Sequence, residues 1–295
     1  MRVSVVVPTY RRTVELKRAL LSLVAQDFND FETIVVDDNA DSDWCGKVKT
    51  LVESIAQAHP DFKISYIRNE ERCGSAESRN EGIRMAQGCY ITFLDDDDEY
   101  LPNKISNQYT YMVENQLDYS ITDLSLFFDT GKLSEYRTRS YIKKKDKISL
   151  LEYHFMYHLT GTDTIMMRKD YLEKIGYFPP INIGDEFYLM QKAIEADGKF
   201  GYLNVCDVRA YVHIGEGGLS SGEGKLSGEK KIFENKKQFF HMMSRKSVRY
   251  IHMRHYSVMA FACLRMKNYW LFVKYGMLAF LHSPIQCVHM ILTRK

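Results

Sequence analysis

Strands and helices alternate along the first half of this chain, and each strand runs directly into acidic or turn-forming residues. That order leaves few ways to fold. Val3-Ser4-Val5-Val6-Val7 is a short apolar run of the kind that parallel sheets bury on both faces. Leu16, Ala19, Leu20, Leu23 and Val24 then recur at helical spacing. Residues 33–36 read as a second buried strand, 47–58 as a helix and 63–67 as a short strand. Residues 76–87 read as a helix closed by Gly88 as its C-cap, 90–94 as a strand, and Pro102 as a first-turn residue of the next helix. The pattern predicts an α/β chain with a doubly wound, mostly parallel central sheet flanked by helices. Such sheets bind ligands beyond the carboxyl ends of their strands. Three polar clusters fall there: Pro8-Thr9-Tyr10-Arg11, Asp37-Asp38 and the run Asp95-Asp96-Asp97-Asp98.

The second half is less regular. Residues 118–128 read as one strand, 147–159 as a helix, 164–167 as a strand, 185–196 as a helix opened by two acids, and 202–213 as extended. Residues 215–228 hold six glycines in fourteen positions, which predicts a mobile loop. Residues 226–295 read as helical. The 295 residues are enough to bury a core without a disulfide or metal staple. With 45% hydrophobic and 26% charged residues, fibrous and disordered classes are excluded. Cys45, Cys73, Cys89, Cys206, Cys263 and Cys287 form no CxxC pair and no zinc spacing with His, so buried free thiols in a reducing cytosol are expected. The opening residues lack a signal-peptide pattern, which makes a cytoplasmic location the expectation.

Charge is uneven. From Lys231 onward there are 12 Lys/Arg and one acid, Glu234, whereas the preceding residues hold 28 bases and 37 acids. A basic tail on an acidic body suggests peripheral contact of residues 231–295 with an anionic membrane. No nucleic-acid motif accompanies the charge, and nucleic acid is not an expected partner. Residues 269–290 are too polar, and too broken by Pro284, for a membrane span.

Four adjacent aspartates at a strand end repel one another, and a bound divalent cation relieves that repulsion. Carboxylate oxygens suit Mg²⁺ or Mn²⁺, which commonly bridge one or two carboxylates to substrate phosphates. The spaced ligands of an EF-hand loop are missing.

In the same order and spacing, four blocks resemble the family 2 glycosyltransferases, which have the GT-A fold. They are Val3 to Tyr10, Gln26 to Asp38, Gly74 to Ile83, and Phe93 to Lys104, the last resembling the family's DxD segment. The resemblance implies an inverting transferase that moves a sugar from a nucleotide diphosphate donor, a UDP-sugar by preference, to a hydroxyl of a glycan or lipid-linked acceptor. It implies a catalytic domain over 1–225, with a nucleotide half 1–116 and an acceptor half 117–225, followed by a basic helical extension over 226–295. Pro8, Thr9, Tyr10, Arg12, Asp38, Arg79, Asp95 and Asp96 are placed with the nucleotide. Within that set the Tyr10 ring lies on the uracil and Asp38 accepts its imide N–H. Asp97, Asp95 and His213 are implied for the metal. The acidic pair opening the helix at 185 supplies the base, Asp185 first and Glu186 second. Residues 215–228 would act as a lid.

Other readings fit less well. A sugar nucleotidyltransferase needs a glycine-rich loop where this chain has Pro8-Thr9-Tyr10-Arg11-Arg12, and no GxGxxG of a dinucleotide dehydrogenase follows a strand. A catalytically silent nucleotide-sugar-binding module or membrane scaffold would have no need to keep Asp38, Asp97 and Asp185 together.

Overall fold

Strand β1 (Val3–Thr9) is buried at all seven positions because it lies in the middle of a sheet. On one side it pairs in parallel with β2 (Phe31–Asp37), beyond which lies β3 (Ile64–Arg68). On the other it pairs in parallel with β4 (Tyr90–Phe93). The β4 ladder ends at Val6↔Phe93. Val6 O and Leu94 N close that side, so Pro8, two residues on, faces the side where no strand remains to need its missing N–H. Three more strands extend the sheet past β4: β9 (Ile165–Arg168), β6 (Tyr119–Thr122) and β10 (Phe200–Leu203). β9 runs antiparallel to both neighbours and the other pairings are parallel. A second sheet of four strands has the order β5 (Glu99–Tyr100), β11 (Val208–Val212), β7 (Leu124–Phe128), β8 (Leu133–Arg137). The expected doubly wound, mostly parallel sheet is therefore present.

The computed structural model describes residues 1–181, 183–212 and 222–293. These form two compact units. The first holds Met1–Lys145 and the stretch from Leu159 to the end of β11, and contains both sheets. In it α1 (Val14–Val24) and α2 (Ser42–Ala58) pack Leu16, Leu20, Val48 and Val52 against Val3, Val5 and Val7. The opposite face of the sheet takes α3 (Ser75–Met85), where a Cβ on Gly82 would lie 2.3 Å from Val6 Cγ1. α4 (Lys104–Glu114), α6 (Lys169–Ile175) and α7 (Asp185–Glu195) complete this unit. The second unit joins α5 (Lys147–Tyr157) to α8 (Gly222–Lys237), α9 (Arg245–Arg265), α10 (Tyr269–His282) and α11 (Pro284–Thr293). Among the described residues no helix is long and apolar enough to cross a membrane.

Several sequence expectations shift. The strand expected over 118–128 breaks at Asp123 into β6 and β7, which belong to different sheets. The buried Asp123 carboxylate accepts from Arg139 N at 2.9 Å and Tyr202 OH at 2.8 Å, and these bonds hold the chain at the point where it changes sheet. α2 starts at Ser42, not at 47, because Asp41 caps it by accepting from Asp43 N at 2.8 Å. Gly88 is not a helix cap, since α3 ends at Met85; a Cβ there would meet the carbonyl carbon of Val3 at 2.6 Å, so the position needs a bare backbone. The expected loop over 215–228 is helical from Gly222 on. Tertiary bonds override the glycines there: Phe233 stacks on His255 at 3.9 Å, and Glu229 binds His255 Nδ1 at 3.0 Å. Residues 213–221, and with them His213, lie outside the described residues. Only Cys45, Cys263 and Cys287 are buried, while Cys73 and Cys89 are exposed.

Candidate active site

Because β1, β2 and β4 are adjacent and parallel, their carboxyl ends deliver three clusters to one edge of the sheet. β9 runs the other way, so the short 3-10 turn that precedes it, Thr162–Thr164, brings Asp163 to the same edge. Parallel order alone would have placed Asp163 at the far end.

The acidic run is divided between two tasks. Asp96 is buried and ties down the turn after β1: it accepts from Thr9 Oγ1 at 2.7 Å, Tyr10 N at 3.3 Å and Arg12 Nη1 at 2.5 Å. Burial pushes its carboxyl up to about 6 against the pull of Arg12. The Arg12 guanidinium also reaches Asp97 Oδ2 at 2.7 Å. The remaining acids converge elsewhere. Asp95, Asp98 and Asp163 each present an oxygen within 4.8 Å of the other two. Asp163 accepts from Asp95 N at 2.6 Å and Asp98 accepts from Tyr211 N at 2.9 Å. Burial and the neighbouring carboxylates push Asp98 well up and Asp163 to about 7. Of the metal ligands implied by resemblance, the structure thus brings Asp95 into an acidic cluster and sets Asp97 against Arg12. Three hard carboxylate oxygens crowded this closely are a donor set that fits a divalent cation.

Below this cluster lies Lys104, which is fully buried and which the sequence does not mark. Its Nζ donates to Thr92 Oγ1 at 2.5 Å and Tyr100 OH at 2.8 Å. Tyr100 in turn donates to the backbone carbonyls of Phe93 and Asp163, the residues that carry the acidic loops.

Arg79 is the second junction. It is 5% exposed. Nη2 donates to Asp95 Oδ1 at 2.5 Å and Nη1 to Asp185 Oδ2 at 3.0 Å. One guanidinium therefore links the acidic run after β4 to the acidic pair that opens α7. The sequence shows an arginine on a helix; only the sheet order reveals that two acids, from distant parts of the chain, meet it. Glu186, next to Asp185, is pushed up to about 8, first by burial and then by the Asp185 charge.

Asp38 is buried beside β1, where Asp38 N donates to Thr9 O at 2.9 Å. Its Oδ1 accepts from Asn69 Nδ2 and Cys73 N, each at 2.9 Å, and its Oδ2 accepts from Gly74 N at 2.9 Å. Gly74 has φ +86°, a conformation that lets the 69–74 segment fold back onto this carboxylate. Asp38 is not a helix cap, since Asp41 takes that role. The Tyr10 ring beside it is half-buried and carries the Arg72 guanidinium at 4.2 Å from its centroid. Pro8 is buried at the end of β1.

Comparison with known proteins agrees with this geometry. The glycosyl transferase family 2 model matches residues 4–176. An uncharacterised glycosyltransferase of Methanocaldococcus jannaschii is 31% identical over 202 residues, which are 67% of this chain and 66% of the relative. A GalNAc(5)-diNAcBac-PP-undecaprenol β-1,3-glucosyltransferase of Campylobacter jejuni is 32% identical over 189 residues, 63% of this chain and 56% of that protein. The chain thus spans under two thirds of the length of these curated relatives. Among solved structures, S. aureus TarS 1–349 in complex with UDP-GlcNAc superposes with a TM-score of 0.63 at 18% identity, covering 96% of this chain and 92% of that one. With a family match over more than half its length, and with this sheet and site, the chain belongs to glycosyl transferase family 2 and has the GT-A fold.

Proposed function

We propose that the chain is an inverting glycosyltransferase that moves a sugar from a UDP-sugar to a hydroxyl of a glycan or lipid-linked acceptor. The observation that carries this reading is the Arg79 junction. It holds Asp95, from a cation-type cluster, and Asp185, from the acidic pair of α7, on one guanidinium, a juxtaposition that suits a displacement between donor and acceptor.

Each residue has a task in that reading. Tyr10 stacks on the base after Arg72 moves from its face. Asp38 Oδ2 has one bond and retains a lone pair for an imide N–H. Asp95, Asp98 and Asp163 would hold a divalent cation, Mn²⁺ or Mg²⁺, with Asp97 and His213 as the further ligands implied by resemblance. Bound there, the cation supplies positive charge to the diphosphate as it leaves. Thr9, Arg12 and Asp96 fix the turn that cradles the nucleotide.

The acceptor hydroxyl gives its proton to the Asp185–Glu186 pair as the new glycosidic bond forms and the bond to the diphosphate breaks. Asp185 Oδ2 is already engaged by Arg79 Nη1 at 3.0 Å. Glu186, which burial and the Asp185 charge push up to about 8, is the member we assign as proton acceptor, where the sequence analysis places Asp185 first. One displacement with one base inverts the anomeric centre.

Support comes from a relative whose name describes transfer to an undecaprenol-linked saccharide and from a fold neighbour solved with UDP-GlcNAc. The test is calorimetric titration with UDP, GDP and dTDP, each with and without Mn²⁺, repeated on Asp95→Ala and Asp97→Ala. Cation-dependent preference for UDP, lost in Asp95→Ala, is expected. Absence of nucleotide binding under every condition would defeat the donor site.

A further inference from the structure

Helix α10 has two apolar faces, and only one of them is covered. The inward face packs on α9, with Ala279 beside Met253, Tyr275 stacked on Tyr256, and His282 stacked on His252 at 4.4 Å. The outward face carries Trp270, Val273, Met277 and Leu281 at spacings of three, four and four, which is one stripe of a helix. Trp270 is 76% exposed and Leu281 is 72% exposed. α11 adds Ile285 and Leu292, seven residues apart and so on one face of that helix, 82% and 78% exposed. Solvated helices turn a polar face outward, and a contiguous apolar surface marks an interaction site.

Charge says what covers it. From Arg245 to Thr293 there are seven Lys/Arg and no Asp or Glu. Arg249 is spent on His282 O and Arg254 on His158, whereas Arg265 at the end of α9, Lys267 in the turn that follows and Lys274 on α10 stand exposed. A second copy meeting this face about a two-fold axis would bring like charges together. An anionic lipid surface offers both the apolar layer and the opposite charge. α10, with 14 residues, is about 21 Å long and too short to span a bilayer, so it lies along the surface.

We propose that the outward face of α10 and α11 docks on an anionic phospholipid bilayer, with Trp270, Leu281, Ile285 and Leu292 entering the headgroup–acyl boundary and Arg265, Lys267 and Lys274 contacting lipid phosphates. Docking is independent of the transferase reading, which supplies only its purpose, access to a lipid-linked acceptor. It is read without donor or acceptor, so its failure leaves the nucleotide titration untouched.

Trp44 and Trp270 are the only tryptophans, so in Trp44→Phe the emission reports Trp270 alone. The full chain is mixed with vesicles of phosphatidylglycerol and phosphatidylcholine, with phosphatidylcholine vesicles, and with the anionic vesicles carrying brominated acyl chains. Three exposed bases predict binding to anionic vesicles about a hundredfold tighter than to neutral ones. The expected signals are a blue shift of Trp270, quenching by bromine, and weakening by salt. Leu281→Glu with Ile285→Glu, both at exposed positions and checked by an unchanged circular dichroism spectrum, should abolish binding. Lys267→Glu with Lys274→Glu should remove the lipid-charge preference. The proposal is overturned if anionic vesicles are not bound, if they are bound without quenching of Trp270, or if the Leu281/Ile285 variant binds unchanged. A blue shift that depends on protein concentration and needs no lipid would overturn it in favour of a second copy.

Discussion

Replacing Arg79 by Gln removes the group that holds Asp95 and Asp185 together. The two contacts differ in worth. Arg79 and Asp185 have side chains 7% and 8% exposed, so the loss strands a carboxylate away from water. Breaking a buried pair in this way costs about 3–5 kcal/mol. Asp95 is 34% exposed, and water replaces most of what Arg79 gives it, a contribution of about 0–1 kcal/mol. Arg79→Gln should therefore destabilise the first unit by about 3–5 kcal/mol, nearly all of it through Asp185. Arg79→Lys keeps the charge but not the fork that spans two partners, and should lose part of this. The assay is urea unfolding followed by Trp44 in a Trp270→Phe background, with a double-mutant cycle against Asp185→Asn. A coupling of about 2–3 kcal/mol between positions 79 and 185 is expected. A cost below about 1 kcal/mol, or strict additivity with Asp185→Asn, would refute the claim that a buried pair joins the two halves of the site.

Three further outcomes are expected. Glu186→Gln should lower turnover about 10²–10⁴-fold, and the wild-type rise in rate with pH, centred near the value of about 8 at Glu186, should vanish in the variant; if Asp185→Asn alone erased that limb, Asp185 would be the base. Asp163 and Glu186 bind protons more tightly in the folded chain than in the unfolded one, where carboxyls have values near about 4. Their contribution to stability is thus complete at low pH and is lost as pH rises through about 7 and about 8. The urea midpoint reported by Trp44, without divalent cations, should fall between roughly pH 6.5 and 8 and recover when Mn²⁺ is added at the higher pH; a rising midpoint would contradict the sign. Gly82→Ala should cost about 1–3 kcal/mol in the same assay, since its Cβ would sit 2.3 Å from Val6 Cγ1; a neutral result would show that α3 can move off the sheet.

The sequence by itself determined the class of fold and the edge where the chemistry lies. Buried strands must be apolar on both faces, and the valines of β1 and β2 say so residue by residue. Strand ends must be polar where ligands bind, and Thr9, Asp38 and Asp95 stand there. Asp185 and Glu186 were singled out by the family resemblance, since two acids opening a helix also serve its dipole. What the sequence could not carry was pairing across long separations. The reversal of β9 brings Asp163 to Asp98, and no local pattern encodes the direction of a four-residue strand. Arg79 looks like any helix arginine until the sheet order sets Asp95 and Asp185 on either side of it. Nothing in the local pattern marks Lys104 as buried, yet Thr92 and Tyr100 satisfy it in the core. The glycines of 222–228 predicted a loop, and Phe233, Glu229 and His255 made a helix. Periodicity and strand-end chemistry are local properties and survive in one dimension. The partner that makes a charge buried, paired or basic is chosen only when the chain closes in three.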